Sequence, residues 1–339
     1  MAPGDETAAR PFQICGMDEP VPASLAGAVA AIGNFDGVHR GHRVLVEAVR
    51  AQAAEAGRPA AVLTFEPHPR SFFAPAAPMF RLTGPAEKET VFARLGLDGL
   101  IVRRFDAALA ATGARGFVLD LLREGLGLSG AVIGHDFHFG RGREGTPEIL
   151  AELCREAGLT CRIVPPVALA GEAEPVSSSA IRAALSAGDV ARANALLGYR
   201  WFVRAPVRHG DKRGRVLGFP TANLRLADCG LAHGIYAVRA RLADGTLRDG
   251  GLRDGGLCDG VASYGRRPTF DDGAPLLEVN LFDFAGDLYG QDLAVEFSGF
   301  IRGEARFSSA EALVERMHVD AAQARAILSA DRTPSMLAG

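Results

Sequence analysis

The first half of the chain alternates short apolar runs with amphipathic helical patterns, and this alternation restricts the fold more than any other feature. Because one helix separates each run from the next, neighbouring strands are expected to be parallel, in one sheet with helices on both faces. The expected strands are 28–32, 60–65, 99–104, 130–134 and 160–164. The expected helices are 39–56, 86–95, 115–125 and 146–157. Ligands bind such sheets at the carboxyl ends of the strands.

The second half of the chain follows a different pattern, in which glycine, proline and aspartate clusters separate short strands. The expected strands are 201–208, 235–242, 259–264, 276–284 and 292–297, and a helix is expected at 309–329. This pattern predicts an antiparallel barrel or sandwich capped by a terminal helix. The predicted organisation is a flexible leader with a short docked segment (1–24), a first domain (25–187), a helical connector (188–200), a second domain (201–330) and a flexible tail (331–339).

Composition excludes several classes of protein. The formal net charge of −3 gives no general attraction to nucleic acid or to an anionic membrane, and no apolar stretch approaches the length of a membrane span. The five cysteines form no C-x-x-C pair, and their number is odd. Free thiols in a reducing cytoplasm are therefore expected.

A glycine-rich turn between the first expected strand and helix carries the strongest chemical signal. It contains Gly33, Asn34, Phe35, Asp36, His39 and His42. Histidines three apart at a helix start lie on one face, beside backbone N–H groups that suit a polyanion such as a nucleoside triphosphate. A histidine pair near a helix start is more often a surface feature, but the glycines and the strand-to-helix context favour function.

Three later segments add weaker signals. Thr64–Pro69 places an acid, Glu66, and a histidine, His68, in a proline-stiffened loop, which alone predicts no more than an ordinary connection. Ile133–Gly145 is a glycine- and arginine-rich loop in which Phe137 and Phe139 could stack on a planar ring. Serines 177–179 suit a helix cap, and with Arg182 they also suit the phosphates of a leaving pyrophosphate.

The second domain contains a basic glycine loop followed by Pro220-Thr221-Ala222-Asn223. No P-loop pattern occurs in the chain, so a P-loop kinase is excluded. Thr221 and Asn223 point the same way on an extended segment and offer oxygen atoms to a hard cation. Taken alone, this motif fits a basic turn before an edge strand. Glu278, on a strand with Asn280 on the same face, could accept the proton of an attacking alcohol.

Taken together and in this order, the motifs resemble those of the bacterial bifunctional riboflavin kinase/FMN adenylyltransferase (FAD synthetase) family, over about residues 12–328. The resemblance implies an N-terminal α/β Rossmann-like nucleotidyltransferase with a parallel sheet. It also implies a C-terminal antiparallel β-barrel, riboflavin kinase-like, with a terminal helix. The implied reactions are phosphorylation of riboflavin to FMN in the second domain and adenylylation of FMN to FAD in the first, each with ATP and Mg²⁺.

For the first domain, the resemblance implies that His39 and His42 contact the ATP phosphates and stabilise charge at the α-phosphorus. The ATP-binding set would be Gly33, Asn34, Phe35, Asp36, His39, His42, Ser178, Ser179 and Arg182. The flavin-binding set would be Phe65, His68, Phe137 and Phe139. Ser179 stands where the family usually has threonine, and the hydroxyl is kept.

For the second domain, the resemblance implies that Glu278 is the base for the ribityl 5′-hydroxyl. The set that binds ATP and Mg²⁺ would be Gly214, Gly218, Pro220, Thr221 and Asn223, with Thr221 and Asn223 as metal ligands. Two departures affect affinity more than activity. Ser263 stands where asparagine is usual, and a glycine-aspartate tandem at 248–260 lengthens the preceding loop.

Other functions stay open at this point. The first domain could adenylylate another nucleotide, such as nicotinate mononucleotide or phosphopantetheine, although fusion to a flavin kinase-like barrel favours a flavin. The chain could also be a flavin sensor or storage protein with inert sites, although such a protein needs none of His39, His42, Asn223 and Glu278. A nucleic-acid-binding barrel is disfavoured by the net charge. Homo-oligomerisation is left open.

Overall fold

The chain forms two compact units. The computed structural model describes residues 11–77, 79–209, 219–226, 229–242, 252–253, 256–266 and 275–338. The first unit combines the chain up to residue 78 with Val91–Pro175, and the second combines Met79–Thr90 with the chain from Val176 onward.

The first unit is built on the predicted parallel sheet. Its strands are β1 (Gln13–Cys15), β2 (Val29–Ile32), β3 (Ala60–Glu66), β4 (Gly99–Arg104), β5 (Gly130–Gly134) and β6 (Thr160–Val164), in the order β1-β4-β3-β2-β5-β6. All the pairings are parallel. Since chain order reverses at β2, between β3 and β5, the crevice at the carboxyl end of β2 is where a sheet of this kind binds ligands.

Helices lie between the strands as the sequence predicts. They are α1 (Arg40–Ala56), α2 (Pro69–Phe73), α3 (Pro85–Arg94), α4 (Ala107–Ala111), α5 (Ala114–Gly116), which continues into a π-helical segment (Phe117–Gly125), and α6 (Pro147–Glu156). Short 3₁₀ turns occur at Ala23–Leu25 and Arg141–Arg143. All four residues of β2 are buried, as expected for a central strand covered on both faces.

The docked part of the leader is β1. It adds to the sheet as an edge strand, with Gln13 opposite Gly99 and Cys15 opposite Ile101 on β4. Leu25 is fully buried in the same core. Residues 13–15 and Leu25 therefore belong to the folded first unit.

The second unit contains the predicted antiparallel barrel. A helix pair, α7 (Ser178–Ser186) and α8 (Val190–Leu197), precedes it. The strands are β7 (Phe202–Arg208), β8 (Ala222–Arg225), β9 (Gly234–Leu242), β10 (Leu252–Arg253), β11 (Leu257–Gly265), β12 (Leu276–Leu281) and β13 (Asp292–Arg302), and α9 (Ala310–Ala330) follows. The order β11-β12-β8-β7-β13-β9 closes because β9 also pairs with β11. The strand β8 pairs on both sides, so it is not an edge strand.

Trp201, the single tryptophan of the chain, anchors the segment 79–90 in the second unit. Its ring is 1% exposed and lies 5.0 Å from that of Phe297 between ring centroids. Its Nε1–H donates to the backbone oxygen of Leu82 at 2.8 Å, and Phe80 packs edge-on against it. A buried indole N–H needs such an acceptor, which explains why the segment groups with this unit.

The boundary between the units lies at Pro175, before α7, whereas the sequence places the end of the first domain at residue 187. The helix α7 belongs with the barrel because hydrogen bonds join its C-terminal end to the segment before β9. Leu185 O accepts from Ala232 N at 3.0 Å, and the Ser186 hydroxyl donates to Gly230 O at 2.8 Å. Residues far apart in sequence supply both partners, so the sequence pattern gives no sign of these contacts.

The expected flexible tail is instead docked over its described part, residues 331–338. Arg200, almost fully buried, contacts Asp331 at 2.6 Å and Glu296 at 3.3 Å. Glu296, on β13, is fully buried and also accepts from the Ser335 hydroxyl and from Leu337 N. Burial raises the pKa of Glu296, against the opposing effects of Ser335 and Arg200. Buried charges on the barrel require partners, and residues of the tail supply them.

We predict that Asp331→Ala destabilises the second unit by about 2 kcal/mol, because the almost fully buried Arg200 loses its shorter ion pair and only Glu296 remains to balance its charge. Asp292→Ala is the control, since its ion pair with Arg204 is largely exposed and is expected to contribute less than about 1 kcal/mol. Urea unfolding followed by tryptophan fluorescence measures both. Equal losses in the two variants would contradict the assigned role of the tail.

Candidate active sites

The first site is centred on His39, which begins α1 at the carboxyl end of β2. The backbone of His39 is extended, and its Nδ1 accepts a hydrogen bond from His42 N at 3.4 Å, so this side chain caps the helix. The rings of the two histidines stack with their centroids 3.7 Å apart. The sequence places both residues on one helix face, and the structure brings them into direct contact.

The protonation state of His39 follows from this position. The residue is 7% exposed, and burial lowers its pKa to about 4, although the Asp136 carboxylate acts in the opposite direction. At neutral pH the ring is therefore uncharged. Because Nδ1 accepts from His42 N, the ring proton lies on Nε2, where it can be donated to a phosphate oxygen.

The loop that leads to His39 is held in a sparsely populated backbone conformation. Phe35 has φ of 49° and Val38 has φ of 39°, which non-glycine residues rarely adopt. The Phe35 ring is fully buried and lies 5.1 Å from the His42 ring between centroids. A Cβ atom at Gly33 would lie 3.2 Å from the Phe35 ring. Strain of this kind clusters at ligand-binding sites, and here it folds the loop tightly beneath His42.

The remaining members of this loop, Asn34 and Asp36, differ in exposure. Asn34 is exposed, and its backbone oxygen accepts from the Thr64 hydroxyl at 3.3 Å. Asp36 is 2% exposed. After β3, His68 caps α2 through a bond from Arg70 N to its Nδ1 at 3.1 Å.

Of the predicted flavin residues, two lie largely in the core. Phe65 and Phe139 are about equally buried, and both pack against Phe117. A Cβ atom at Gly145 would lie 2.5 Å from the Phe139 ring, so this glycine makes room for the ring. Phe137 is half-buried, and its ring stacks on that of Phe139 at 5.7 Å.

The predicted phosphate-binding residues Ser178, Ser179 and Arg182 lie at the start of α7, in the second unit, whereas His39 and His42 lie in the first. The cap of α7 is Ser177, whose hydroxyl accepts from Ala180 N at 3.2 Å. Ser178 and Ser179 occupy the first helical positions. Arg182 Nε donates to Phe80 O at 2.6 Å, which fixes the guanidinium against the segment 79–90.

The second site is a row of polar residues across four barrel strands. Ser263 on β11 lies opposite Glu278 on β12, Glu278 lies opposite Asn223 on β8, and Asn223 lies opposite Arg208 on β7. The neighbouring residues Leu277 and Leu224 point into the barrel and are fully buried. Because side chains alternate along strands, the row lies on the outer surface of the barrel.

Asn223 is the buried member of this row, with 5% of its surface exposed. Among the residues that the structure describes, none donates to its Oδ1. Its Nδ2 contacts Thr221 O at 3.5 Å. Pro220 O accepts from Asn280 Nδ2 at 2.8 Å, which ties the Pro-Thr-Ala-Asn segment to β12. The predicted glycines Gly214 and Gly218 lie outside the described residues.

A groove of about 540 Å³ adjoins the row at Asn280. Phe219, Phe282 and Phe284 line it, together with His318 and Arg325 of α9. The Arg325 guanidinium lies 4.2 Å above the Phe282 ring and pairs with Asp283 at 3.1 Å. The His318 ring contacts the Phe219 ring edge-on.

Sequence reasoning missed the contribution of α9. His318 and Arg325 are seven residues apart, so they share a helix face, but the helix pattern does not reveal what that face contacts. It also missed the stacking of His209 on Tyr289, whose ring centroids are 3.9 Å apart. His209 directly follows β7, next to Arg208, and no signal in the sequence links it to Tyr289.

Two further observations concern metals and membranes. In the described parts of the chain, no three His, Cys, Asp or Glu side chains come together as metal ligands. The helices described by the structure include none that is long and apolar enough to cross a bilayer.

We predict that His39 makes the first unit sensitive to acid. The unfolded chain binds a proton to this histidine near pH 6.5, whereas the folded chain does so only near pH 4. Stability is therefore complete above pH 6.5 and falls by roughly 2–3 kcal/mol as the pH approaches 4. His39→Gln should reduce this fall, as measured by amide hydrogen exchange in α1. His138→Gln, which changes an exposed histidine, is the control, and an equal effect of the two substitutions would refute the prediction.

Comparisons with known proteins agree with both units. The family model described as FAD synthetase matches residues 21–180, and the one described as riboflavin kinase matches residues 197–328. A bifunctional riboflavin kinase/FMN adenylyltransferase from Pseudomonas fluorescens is 40% identical over 303 residues, covering 89% of this chain and 93% of the relative. One from Bacillus subtilis is 36% identical and covers 88% and 92%.

Similarity extends to solved structures. A crystal structure described as a macrolide-efflux protein from Streptococcus pneumoniae is 30% identical, with a TM-score of 0.76, and covers 91% of this chain and 97% of that one. A parallel-sheet unit with a histidine-capped helix, joined to a closed barrel with a polar outer row, defines a two-domain transferase. The chain belongs to the family of bifunctional riboflavin kinase/FMN adenylyltransferases, as the sequence motifs predict.

Proposed function

We propose that the outer row of the barrel phosphorylates riboflavin and that the histidine-capped helix adenylylates FMN. The chain is a bifunctional enzyme of FAD synthesis, with the two activities in the order of its two family regions. The observation that carries the kinase assignment is the pairing of Glu278 with Asn223 beside the aromatic groove. An inert flavin sensor needs no carboxylate at that position.

Riboflavin is proposed to bind in the groove. Three phenylalanines offer apolar contact to the flat ring system, and Arg325, which already lies over Phe282, can extend the stack. Asn280 lines the groove and is two residues from Glu278 on the same face of β12, so a bound ribityl chain can reach Glu278. Glu278 would then accept the proton of the 5′-hydroxyl as its oxygen attacks the γ-phosphorus of ATP.

Asn223 and Thr221 are proposed to hold Mg²⁺-ATP. The Oδ1 of Asn223 is buried and receives no hydrogen bond from the described residues, which fits an oxygen ligand for a cation. When bound, Mg²⁺ would neutralise charge on the phosphates of ATP. The protein would position the β,γ-phosphates next to Glu278, and proximity then favours direct transfer.

In the first unit, His39 is proposed to donate its Nε2–H to a phosphate oxygen of ATP. The phosphate of FMN attacks the α-phosphorus and pyrophosphate leaves, so no covalent intermediate with the protein is required. A neutral donor in a water-poor position stabilises developing negative charge without the loss of a proton. The stack on His42 orients the His39 ring.

The roles of the other residues stay predictions. Ser178, Ser179 and Arg182 are predicted to contact the triphosphate, and Phe65, His68, Phe137 and Phe139 to contact the flavin. Of these, Phe137 is the more suitable because it is half-buried, whereas Phe65, His68 and Phe139 are buried. The five free cysteines support the proposal of a reducing, cytoplasmic location.

We predict that Glu278→Gln lowers the rate of FMN formation at least a hundredfold, because glutamine cannot accept the hydroxyl proton. Conversion of FMN to FAD should be unchanged. Riboflavin, FMN and FAD are separated by chromatography over time, from riboflavin or from FMN as the starting flavin, with ATP and Mg²⁺.

The substitution His39→Ala tests the other site, and the opposite result is expected. It should abolish FAD formation from FMN and leave FMN formation from riboflavin intact. Loss of both activities in a folded Glu278→Gln protein, or undiminished FAD synthesis by His39→Ala, would contradict the assignment of two separate sites.

We also predict that Asn223→Ala raises the Mg²⁺ concentration needed for half-maximal kinase rate by about tenfold, because one oxygen ligand is lost. The rate is measured at several Mg²⁺ concentrations with ATP constant, and excess chelator should abolish it. FMN adenylylation in the same preparation is the control. An unchanged Mg²⁺ dependence would exclude Asn223 as a ligand.

A further inference from the structure

Two of the five cysteines lie together at one edge of the parallel sheet, and the proposed reactions use neither of them. Cys154 is in the last turn of α6, and Cys161 is the second residue of β6. The chain turns sharply between them at Gly158, whose φ is 70°, and Leu159 N donates to Cys154 O at 2.8 Å. This tight connection places β6 alongside α6 and brings the two cysteines together.

The thiols of these two residues contact each other. The Cys154 thiol donates a hydrogen bond to the Cys161 sulfur, and both side chains pack in the core of the first unit. Cys154 is fully buried, whereas Cys161 is partly exposed because β6 is an edge strand. The contact, together with burial, raises the pKa of Cys154, and it lowers the pKa of Cys161. Cys161 is therefore the thiol that ionises more readily, and the thiolate is the reactive form.

The other three cysteines lie elsewhere in the fold. Cys15 is buried on β1, the opposite edge strand of the same sheet. Cys229 and Cys258 belong to the second unit, where burial raises the pKa of both thiols. Cys229 is partly exposed, as Cys161 is, so exposure alone does not distinguish these two residues. The distinguishing feature of Cys161 is the second thiol in contact with it.

We propose that Cys154 and Cys161 form a reversible disulfide on exposure to hydrogen peroxide, with Cys161 as the attacking sulfur and Cys154 as the resolving one. The Cys161 thiolate attacks one peroxide oxygen, the O–O bond breaks, and the hydroxide that leaves takes up a proton to become water. The Cys154 sulfur then attacks the resulting sulfenic acid. An S–S bond replaces the S–O bond, and a second water leaves with the Cys154 proton. The two thiols lose two electrons, and the peroxide gains them.

The pair lies away from the residues assigned to adenylyl transfer. Cys161 is near the amino end of β6, whereas His39 follows the carboxyl end of β2. Since β2, β5 and β6 are parallel, these positions are at opposite ends of the sheet. Oxidation therefore leaves the histidine site chemically unchanged. Such a pair fits the transient, redox-responsive disulfides of reducing compartments.

Tryptic mapping of the full-length protein without reductant tests the proposal. Arg155 directly follows Cys154 and Arg162 directly follows Cys161, so trypsin places the cysteines in separate peptides, 144–155 and 156–162. The protein is treated with hydrogen peroxide, and its free thiols are then blocked with iodoacetamide. We expect these two peptides to be recovered as one disulfide-linked species, two hydrogen atoms lighter than their sum. Dithiothreitol should restore the separate peptides.

Two serine variants are the matched controls. Cys161→Ser should give no linked species, whereas Cys229→Ser, which removes another partly exposed thiol, should give as much of it as the unaltered chain. In the unaltered chain, peroxide should also reduce native alkylation of Cys161 by at least about tenfold, because the disulfide leaves no thiolate. Recovery of Cys161 only as free thiol or sulfinic acid would overturn the proposal. A linked species that joins two chains, seen as a dimer on a non-reducing gel, would overturn it as well.

Discussion

Closure of the barrel by the pairing of β9 with β11 is the constraint on which the kinase half of the molecule depends. A closed barrel has a filled interior, so apolar residues such as Leu277, Val279 and Leu224 must face inward. Their polar neighbours are then forced outward, in register across several strands. The row from Ser263 to Arg208 is a direct result. The helix α9 covers part of the outer face and leaves the groove at its edge.

In the first unit a different constraint, the parallel sheet, brings the polar residues of the site together. Parallel strands end at one edge of the sheet, and the reversal of strand order at β2 leaves a crevice there. The strained turn after β2 brings His39 to the start of α1, where its side chain replaces a missing backbone partner. The imidazole of His39 thus caps α1 and is also the proposed hydrogen-bond donor to ATP, and its burial keeps it neutral.

Local sequence patterns predicted what local physics determines. The strand-to-helix turn before His39 and the alternation around Glu278 could be predicted from the sequence, because periodicity and glycine turns depend on residues close together in the chain. Contacts between distant segments were not. Arg182 bonds to Phe80, 102 residues earlier, and Arg200 pairs with Asp331, 131 residues later. A polar tail is normally expected to be exposed to solvent. Here it docks because the buried Glu296 and Arg200 need its polar groups as partners.

The setting of Trp201 makes the second unit optically distinct. As the single indole of the chain, buried against Phe297 and bonded to Leu82, it is the source of the protein's tryptophan emission. That emission reports on the barrel and on segment 79–90, which surround the ring. Flavins absorb where indoles emit, so resonance energy transfer from Trp201 can follow flavin binding without a label. Melting curves recorded by fluorescence therefore describe one half of a bifunctional enzyme.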